Sequence, residues 1–561
     1  MDYHFSFSNP NTHYLIIKAT FRADNPDTEI FLPNWRPGRY QIQNFAKRIR
    51  LINAFDETDK PIALKKSTKG SWRLTNKPGV VTLIYEYYAF EMDAGNSWLD
   101  DEQLYINPIN CCIYTKSSLE RPSTISFDLP EHYEITSGLE KAGRHQLYSP
   151  NYYRLVDSPI FASGSLRRIS YKVGEHLFNL WIQGSLPRTD NEVINDFKRF
   201  TEVQIDVMGE FPCSEYHFLF QCLPYKHYHG VEHWNSTVIT IGPSGELAER
   251  ARYKDFLGVS SHELFHTWNV IRLRPVEMTP YDFQNANYHK TGFVTEGVTT
   301  YYGDLFLVRS KVYSLDEYLE DLNKMLKRHY ENEGRKGLSV ADSSFDLWLD
   351  GYEKGIPGRK VSIYNEGALA ALILDLMIRS KFNNGKSLDD VMRLMWSLYG
   401  RSQSGYTFQD YKNAAESIFE DSLNAYFDDL ILGNQPFEDY LSKLTPQFGL
   451  DFQLTSSTKI EERVYGFKLS EQTITDIAEN SPAQKGLSIG DRIESINGKP
   501  FESRDINPDS LKLQINRFER SIEVDLKQST EEHFSVYQLS KSNTLSDHQH
   551  DLLQGWLNST N

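Results

Sequence analysis

A histidine, a glutamate and a second histidine stand at positions 262, 263 and 266, inside the run Gly258-Val-Ser-Ser-His-Glu-Leu-Phe-His-Thr-Trp-Asn269. Residues four apart share one face of a helix, so the imidazoles of His262 and His266 can converge on a single metal ion. Glu263 falls at the border of that face, where a carboxylate reaches a metal-bound water without ligating the metal, as a general base must. Chance alone puts such a pentad in roughly a few per cent of chains this long. The neighbours argue for more. Phe256, Leu257, Val259, Leu264, Phe265 and Trp268 predict a buried helix without internal proline, and two histidines converging there need a partner, most commonly zinc. A tetrahedral zinc that keeps one water asks for a third protein donor. Glu296 is the candidate: it lies in the apolar run Thr291-Gly-Phe-Val-Thr-Glu-Gly-Val-Thr-Thr-Tyr-Tyr302, where an unpaired carboxylate would be costly. The stretch between His266 and Glu296 is long enough for a loop to bring a second helix alongside the first.

Elements that would position these groups can be read on either side. Residues 1–165 hold short alternating runs such as His13–Phe21, Val80–Tyr88 and Thr124–Leu129, bounded by Pro, Gly and Asn, which predict a β-sandwich. Within it, Pro33-Asn-Trp-Arg-Pro-Gly-Arg-Tyr40 reads as a tight aromatic turn, either a packing element or a wall of the cleft. Residues 166–445 begin with further strands, Tyr216–Cys222 and Ser236–Gly242, and a helix at about 195–208. They continue as helices around the two motifs and at 314–329, 365–381, 387–399 and 411–416. Gly230-Val-Glu-His233 and the Ser236–Gly242 run directly after it read as a strand at the rim of a cleft, able to pair with an extended peptide, with Gly230 permitting close backbone approach. Judged by residue type alone, Glu232 reads as an exposed rim carboxylate.

The quoted segments, taken together, resemble the glycyl aminopeptidase family of PDZ-bearing zinc metallopeptidases, gluzincins with a thermolysin-like catalytic domain. The resemblance is carried by Gly258–Pro275 with Thr295–Tyr302, by Tyr228-His-Gly-Val-Glu-His-Trp-Asn-Ser236 and by Val361-Ser-Ile-Tyr-Asn-Glu-Gly-Ala-Leu369. It implies one Zn2+ per chain held by His262, His266 and Glu296, Glu263 as general base, and Tyr364 as the hydroxyl beside the oxyanion. It further implies Gly230, Val231 and Glu232 as the substrate-binding segment, with Glu232 facing a free amino terminus. Four positions depart from the family pattern: His229 and Val231 in the rim motif, Glu366 in place of a lysine after the tyrosine, and Ile271 in place of another lysine.

A C-terminal unit at 450–535 resembles a PDZ domain over Ile474–Lys499, with Ser510–Phe518 expected as its groove helix and a peptide carboxy terminus as its possible ligand, the other reading being a docked structural module. In the tail, 541–561, Leu552, Leu553, Trp556 and Leu557 recur at helical spacing and predict a short docked helix. The fold class expected is therefore multidomain α+β: an N-terminal β-sandwich, a thermolysin-like mainly helical catalytic domain and a C-terminal PDZ domain. A formal charge of −16 argues against nucleic acid and anionic membranes as partners. No secretory leader or membrane-spanning run is visible, and the four cysteines read as reduced interior thiols, so a cytoplasmic protein is expected. The reading is a zinc aminopeptidase acting on short peptides with a free N-terminus and small first residues such as Gly or Ala; its rivals are a zinc endopeptidase and a PDZ scaffold with a vestigial zinc site.

Overall fold

The computed structural model describes residues 1–353, 355–501, 506 and 510–558. Two sheets, one of ten strands and one of four, form the N-terminal β-sandwich. Alternation decides which faces meet. In Tyr14–Ala23, residues Leu15, Ile17, Ala19, Phe21 and Ala23 are buried while their neighbours are not, and Ile17 and Ala19 lie opposite Tyr85 and Leu83 of strand Gly79–Tyr88.

The middle region opens with a five-stranded sheet in the order Arg167–Val173, His176–Gly184, Glu215–Cys222, Ser236–Gly242, His227–His233. His176–Gly184 and Glu215–Cys222 run parallel, so a crossover must join them; helix Asp190–Met208 supplies it, capped by Thr189 and Glu192 and ended by Gly209. The rim strand is His227–His233. Ser236–Gly242, expected at the rim with it, lies one place inside, hydrogen-bonded on both sides. Beyond the sheet come helix Arg250–Phe265, a π-helical turn Phe293–Val298 running into helix Thr299–Arg309, helix Leu315–Glu331 and the almost wholly buried helix Ile363–Phe382. This helical half shares one continuous core with the sandwich.

The PDZ domain has a core of its own, with Tyr465, Phe467, Ile474, Ile493, Leu511, Leu513 and Ile515. The expected groove helix at Ser510–Phe518 is instead a strand, Ser510–Arg517, paired with Arg520–Lys527. The reason is legible in hindsight: Leu511, Leu513 and Ile515 alternate with polar residues at period two, and Phe518 and Glu519, both at positive φ, close a hairpin. Strands Leu450–Thr455 and Val536–Lys541 pair with each other on either side of this domain, which thus sits as an insertion between them. Asn323 of helix Leu315–Glu331 exchanges two hydrogen bonds with the backbone of Leu539, and Lys468 pairs with Glu331 at 2.7 Å.

After the insertion the chain returns to the catalytic body as helix Asp547–Leu557, which buries Leu552, Leu553, Trp556 and Leu557. The docking site is a buried polar network. Asp375 holds Tyr301 and Arg379, and Asp389 holds Tyr302 and Arg309. Tail groups complete it: Trp556 donates to the Tyr301 hydroxyl at 2.9 Å, while Arg309 and Arg379 donate to the carbonyls of Trp556 and Gly555. All four cysteines are free and buried. Among the described residues no helix is long and apolar enough to cross a membrane.

Because the Trp556 side chain is fully enclosed, Trp556→Ala should lower unfolding stability by about 3 to 5 kcal/mol. Urea denaturation followed by tryptophan fluorescence and circular dichroism measures this, and an unchanged midpoint would mean that the tail merely rests on the surface.

Candidate metal centre and cleft

Helix Arg250–Phe265 places His262 and Glu263 in its last turn, and His266 forms its C-cap. The two imidazole Nε2 atoms stand 3.0 Å apart. His266 Nδ1 is 2.8 Å from the carbonyl of Asn269, an acceptor that fixes a proton on Nδ1 and turns Nε2 toward the other donors. Glu296 Oε2 lies 3.4 Å from His266 Nε2 and 3.8 Å from His262 Nε2. Donor atoms of these three residues all fall within 4.8 Å of one another, and so do those of Glu232, Glu263 and His266.

Close packing at glycines makes this convergence possible. At Gly303 an added Cβ would come within 3.1 Å of His262 Cβ, so the helix bearing Gly303 lies directly against the His-Glu helix. A Cβ at Gly297 would sit 2.4 Å from Gly367 Cα, which lets helix Ile363–Phe382 cross the Glu296 segment almost backbone to backbone and brings Tyr364, in its first turn, to the site. Glu296 itself lies in the π-helical turn, the irregularity that helices often carry at functional positions. Asn269 Nδ2 donates to the carbonyl of Val294 and to Thr299 Oγ1, pinning the loop after His266 to the Glu296 helix.

Charge constrains what the centre can hold. Three carboxylates, Glu232, Glu263 and Glu296, are each no more than 5% exposed. Burial pushes the Glu232 carboxyl up to about 7, with His266 opposing, and holds Glu263 well above the usual carboxylate range. Burial pushes His262 down to about 3, the neutral form that can donate a lone pair. For His266 and Glu296 burial disfavours both charges, yet their mutual attraction prevails, raising His266 to about 10 and lowering Glu296. Glu263 Oε2 has no hydrogen-bond partner. Two converging imidazole nitrogens, three buried carboxyl groups and an orphaned carboxylate oxygen fit a divalent cation, and two histidines with one glutamate are a zinc donor set.

The groups around this centre divide by strand register. Along the rim strand Gly230 and Glu232 face the His-Glu helix, while Val231 is fully buried on the other side with Trp181, Leu219 and Val238. Val231 was expected to touch substrate; its side chain packs in this core, and only its backbone remains for such a role. Gly230 makes room for Glu263, since an added Cβ would meet Glu263 Oε1 at 2.2 Å. Glu232 is enclosed at the centre, not on an exposed rim. Tyr364 stacks obliquely beside His262, ring centroids 6.4 Å apart, and its hydroxyl lies 3.3 Å from that of Tyr352. Glu366, the reversed charge, is buried one turn away from the cleft and met by His329 Nδ1 at 2.6 Å. His229 stands over Arg36 and Asp93, and burial together with Arg36 pushes its imidazole down to about 4.

A cleft of about 1330 Å³ opens on these residues, lined at one end by His262, Glu263, Gly230, Tyr352, Tyr364 and Arg39. The sandwich turn at 33–40 therefore walls the site. Gly38, at φ +75°, abuts Glu232, and the Tyr40 hydroxyl donates to Glu296 Oε1 at 2.8 Å. Tyr40 was signalled only by its aromatic turn, and no sequence signal pointed to Tyr352.

Gly297→Ala forces a Cβ onto backbone that cannot yield, so the two helices must part; stability should fall by about 1 to 3 kcal/mol. Gly245→Ala, where an added Cβ meets nothing, is the control in thermal denaturation, and equal melting of the two variants would show slack at the crossing.

Comparison with known proteins places these features in context. Residues 2–164 match the Peptidase M61 N-terminal domain, residues 255–370 the M61 glycyl aminopeptidase, and residues 447–527 the PDZ domain. The crystal structure of an aminopeptidase N family protein from Idiomarina loihiensis is similar over 99% of both chains, with a TM-score of 0.89 and 25% identity. The M1 zinc metallopeptidase from Deinococcus radiodurans is similar over 78% of this chain and 94% of its own, with a TM-score of 0.47 and 13% identity. No curated protein matches.

Proposed function

For a chain that belongs to the M61 glycyl aminopeptidase family and is a metallo-aminopeptidase, we propose that His262, His266 and Glu296 hold one zinc ion and that the residues around them release the first amino acid of short peptides. Bound there, zinc would act as a Lewis acid on the scissile carbonyl and lower the pKa of water to about 7. Glu263 accepts a proton from the attacking water as its oxygen bonds to the carbonyl carbon, then delivers that proton to the departing amine nitrogen as the C–N bond breaks. The Tyr364 hydroxyl donates to the oxygen on which negative charge develops. Glu232 pairs with the substrate ammonium, and the free edge of His227–His233 aligns the peptide backbone.

The observation that carries this reading is the convergence of Glu232, Glu263 and Glu296 on His262 and His266 in one buried space. Gly38 abuts the Glu232 carboxylate so closely that an added Cβ would lie 2.6 Å from Oε2, and a site this tight favours a small first residue such as Gly or Ala. In the PDZ domain, strand Phe467–Ser470 lies at a sheet edge and is the place for a peptide carboxy terminus. Four reduced thiols accord with the cytoplasm.

Glu263→Gln should lower turnover about 10²- to 10⁴-fold while zinc content stays the same; assay on glycine and alanine amides with metal analysis checks both, and loss of zinc would assign Glu263 a different task. Acetylating the substrate amine should cost roughly 2 to 3 kcal/mol, about two orders of magnitude in kcat/KM. Combined with Glu232→Ala, that loss should not add, because both changes delete the same contact. Equal cleavage of free and acetylated peptides would remove Glu232 from its role.

A further inference from the structure

We infer that Tyr40, delivered by the N-terminal sandwich, is a positioning residue for Glu296: its phenol ties down one carboxylate oxygen so that the other faces the two imidazoles. This rests on Glu296 being the third metal ligand, as proposed above. The two oxygens of Glu296 are used differently. Oε1 accepts from the Tyr40 hydroxyl at 2.8 Å, and Oε2 points at His266 and His262. The terminal torsion of a glutamate is broad, so without such a bond the carboxylate could rotate, present both oxygens or withdraw. A partner on the non-ligating oxygen selects one orientation before the metal arrives, which is how groups behind metal ligands set affinity.

The hydroxyl is aimed by a turn anchored to the catalytic body. Asn34 N donates to the carbonyl of Phe283 and Trp35 Nε1 to that of Asp282, at 2.8 and 2.6 Å. The Trp35 ring stands edge-on to Trp348 at 4.9 Å, and the Tyr40 ring packs beside His289 at 5.1 Å. Gly38 takes the left-handed conformation that turns the chain back between Trp35 and Tyr40. The hydrogen bond that orients Glu296 thus comes from the other domain, and the catalytic region alone would hold metal less well.

The test uses the full chain and reads metal binding directly. Tyr40→Phe keeps the ring and deletes only the hydroxyl, so zinc affinity, measured by competition with a chromophoric chelator, should fall about 10- to 100-fold. The visible spectrum of the Co2+-loaded variant should change, because ligand orientation has changed, while melting of the metal-free protein should shift little. Trp35→Phe, which keeps an aromatic ring but deletes the bond to Asp282, loosens the same hydroxyl independently and should weaken zinc in the same direction, by less. Zinc affinity within about two-fold of the unaltered protein in both variants, with an unchanged Co2+ spectrum, would overturn the inference. Glu296→Ala separates the two levels of assignment. Retained zinc there removes Glu296 as a ligand, whereas lost zinc with full affinity in the Tyr40 and Trp35 variants removes only the role of Tyr40.

Discussion

Burying three carboxylates against two imidazoles is the constraint around which this molecule is arranged. In a low-dielectric interior such a set is stable only when protons or a cation offset the negative charge, a demand that burial makes by raising the Glu232 and Glu263 carboxyls. A divalent cation would relieve it: His266 could give up its extra proton, and Glu263 could ionise at neutral pH. A divalent cation matches the charge of this donor set, whose convergence is fixed by packing.

That packing depends on missing side chains as much as on those present. Gly303 admits the His-Glu helix, Gly297 and Gly367 admit the Tyr364 helix, and Gly230 admits the Glu263 carboxylate to the edge of the rim strand. The contacts at Gly297, Gly367 and Gly230 are closer than a Cβ allows, and that at Gly303 is tight for one, so three elements reach the cleft at distances that larger residues would resist. The sandwich contributes the fourth wall. Its turn at 33–40 crosses to the catalytic body and sets Gly38 and Tyr40 against two of the carboxylates, so that the first and second regions of the chain make one site and share one core.

The PDZ domain stands in a different relation to the rest. Its core is separate, and its ends are clamped by a pair of strands and by Asn323. The last helix then closes a network of buried arginines and aspartates through Trp556 and two backbone carbonyls. A buried ion network is costly where donors lack acceptors, and the tail carbonyls satisfy Arg309 Nε and Arg379 Nη1, while Nη2 of each arginine has no hydrogen-bond partner. The C-terminal tail therefore stabilises the catalytic body by completing hydrogen bonds, although it lies after the PDZ domain in the chain.

What the sequence alone determined follows from local rules. Helical spacing put His262 and His266 on one face and predicted the tail helix, apolar surroundings singled out Glu296 as a carboxylate in need of a partner, and alternation predicted the sandwich strands. Resemblance added Glu232 and Tyr364, since nothing in the residue types separates either from an ordinary rim carboxylate or core aromatic. Where a local rule was set aside for an expected pattern, the reading failed: the alternating Ser510–Arg517 run is a strand, not a groove helix. Only tertiary structure could decide that Glu366 is met by His329, that Tyr352 reaches Tyr364, and that Tyr40 holds Glu296 from more than two hundred and fifty positions away. Those contacts join segments far apart in the chain, and no period or composition within either segment carries information about the side chain it will meet.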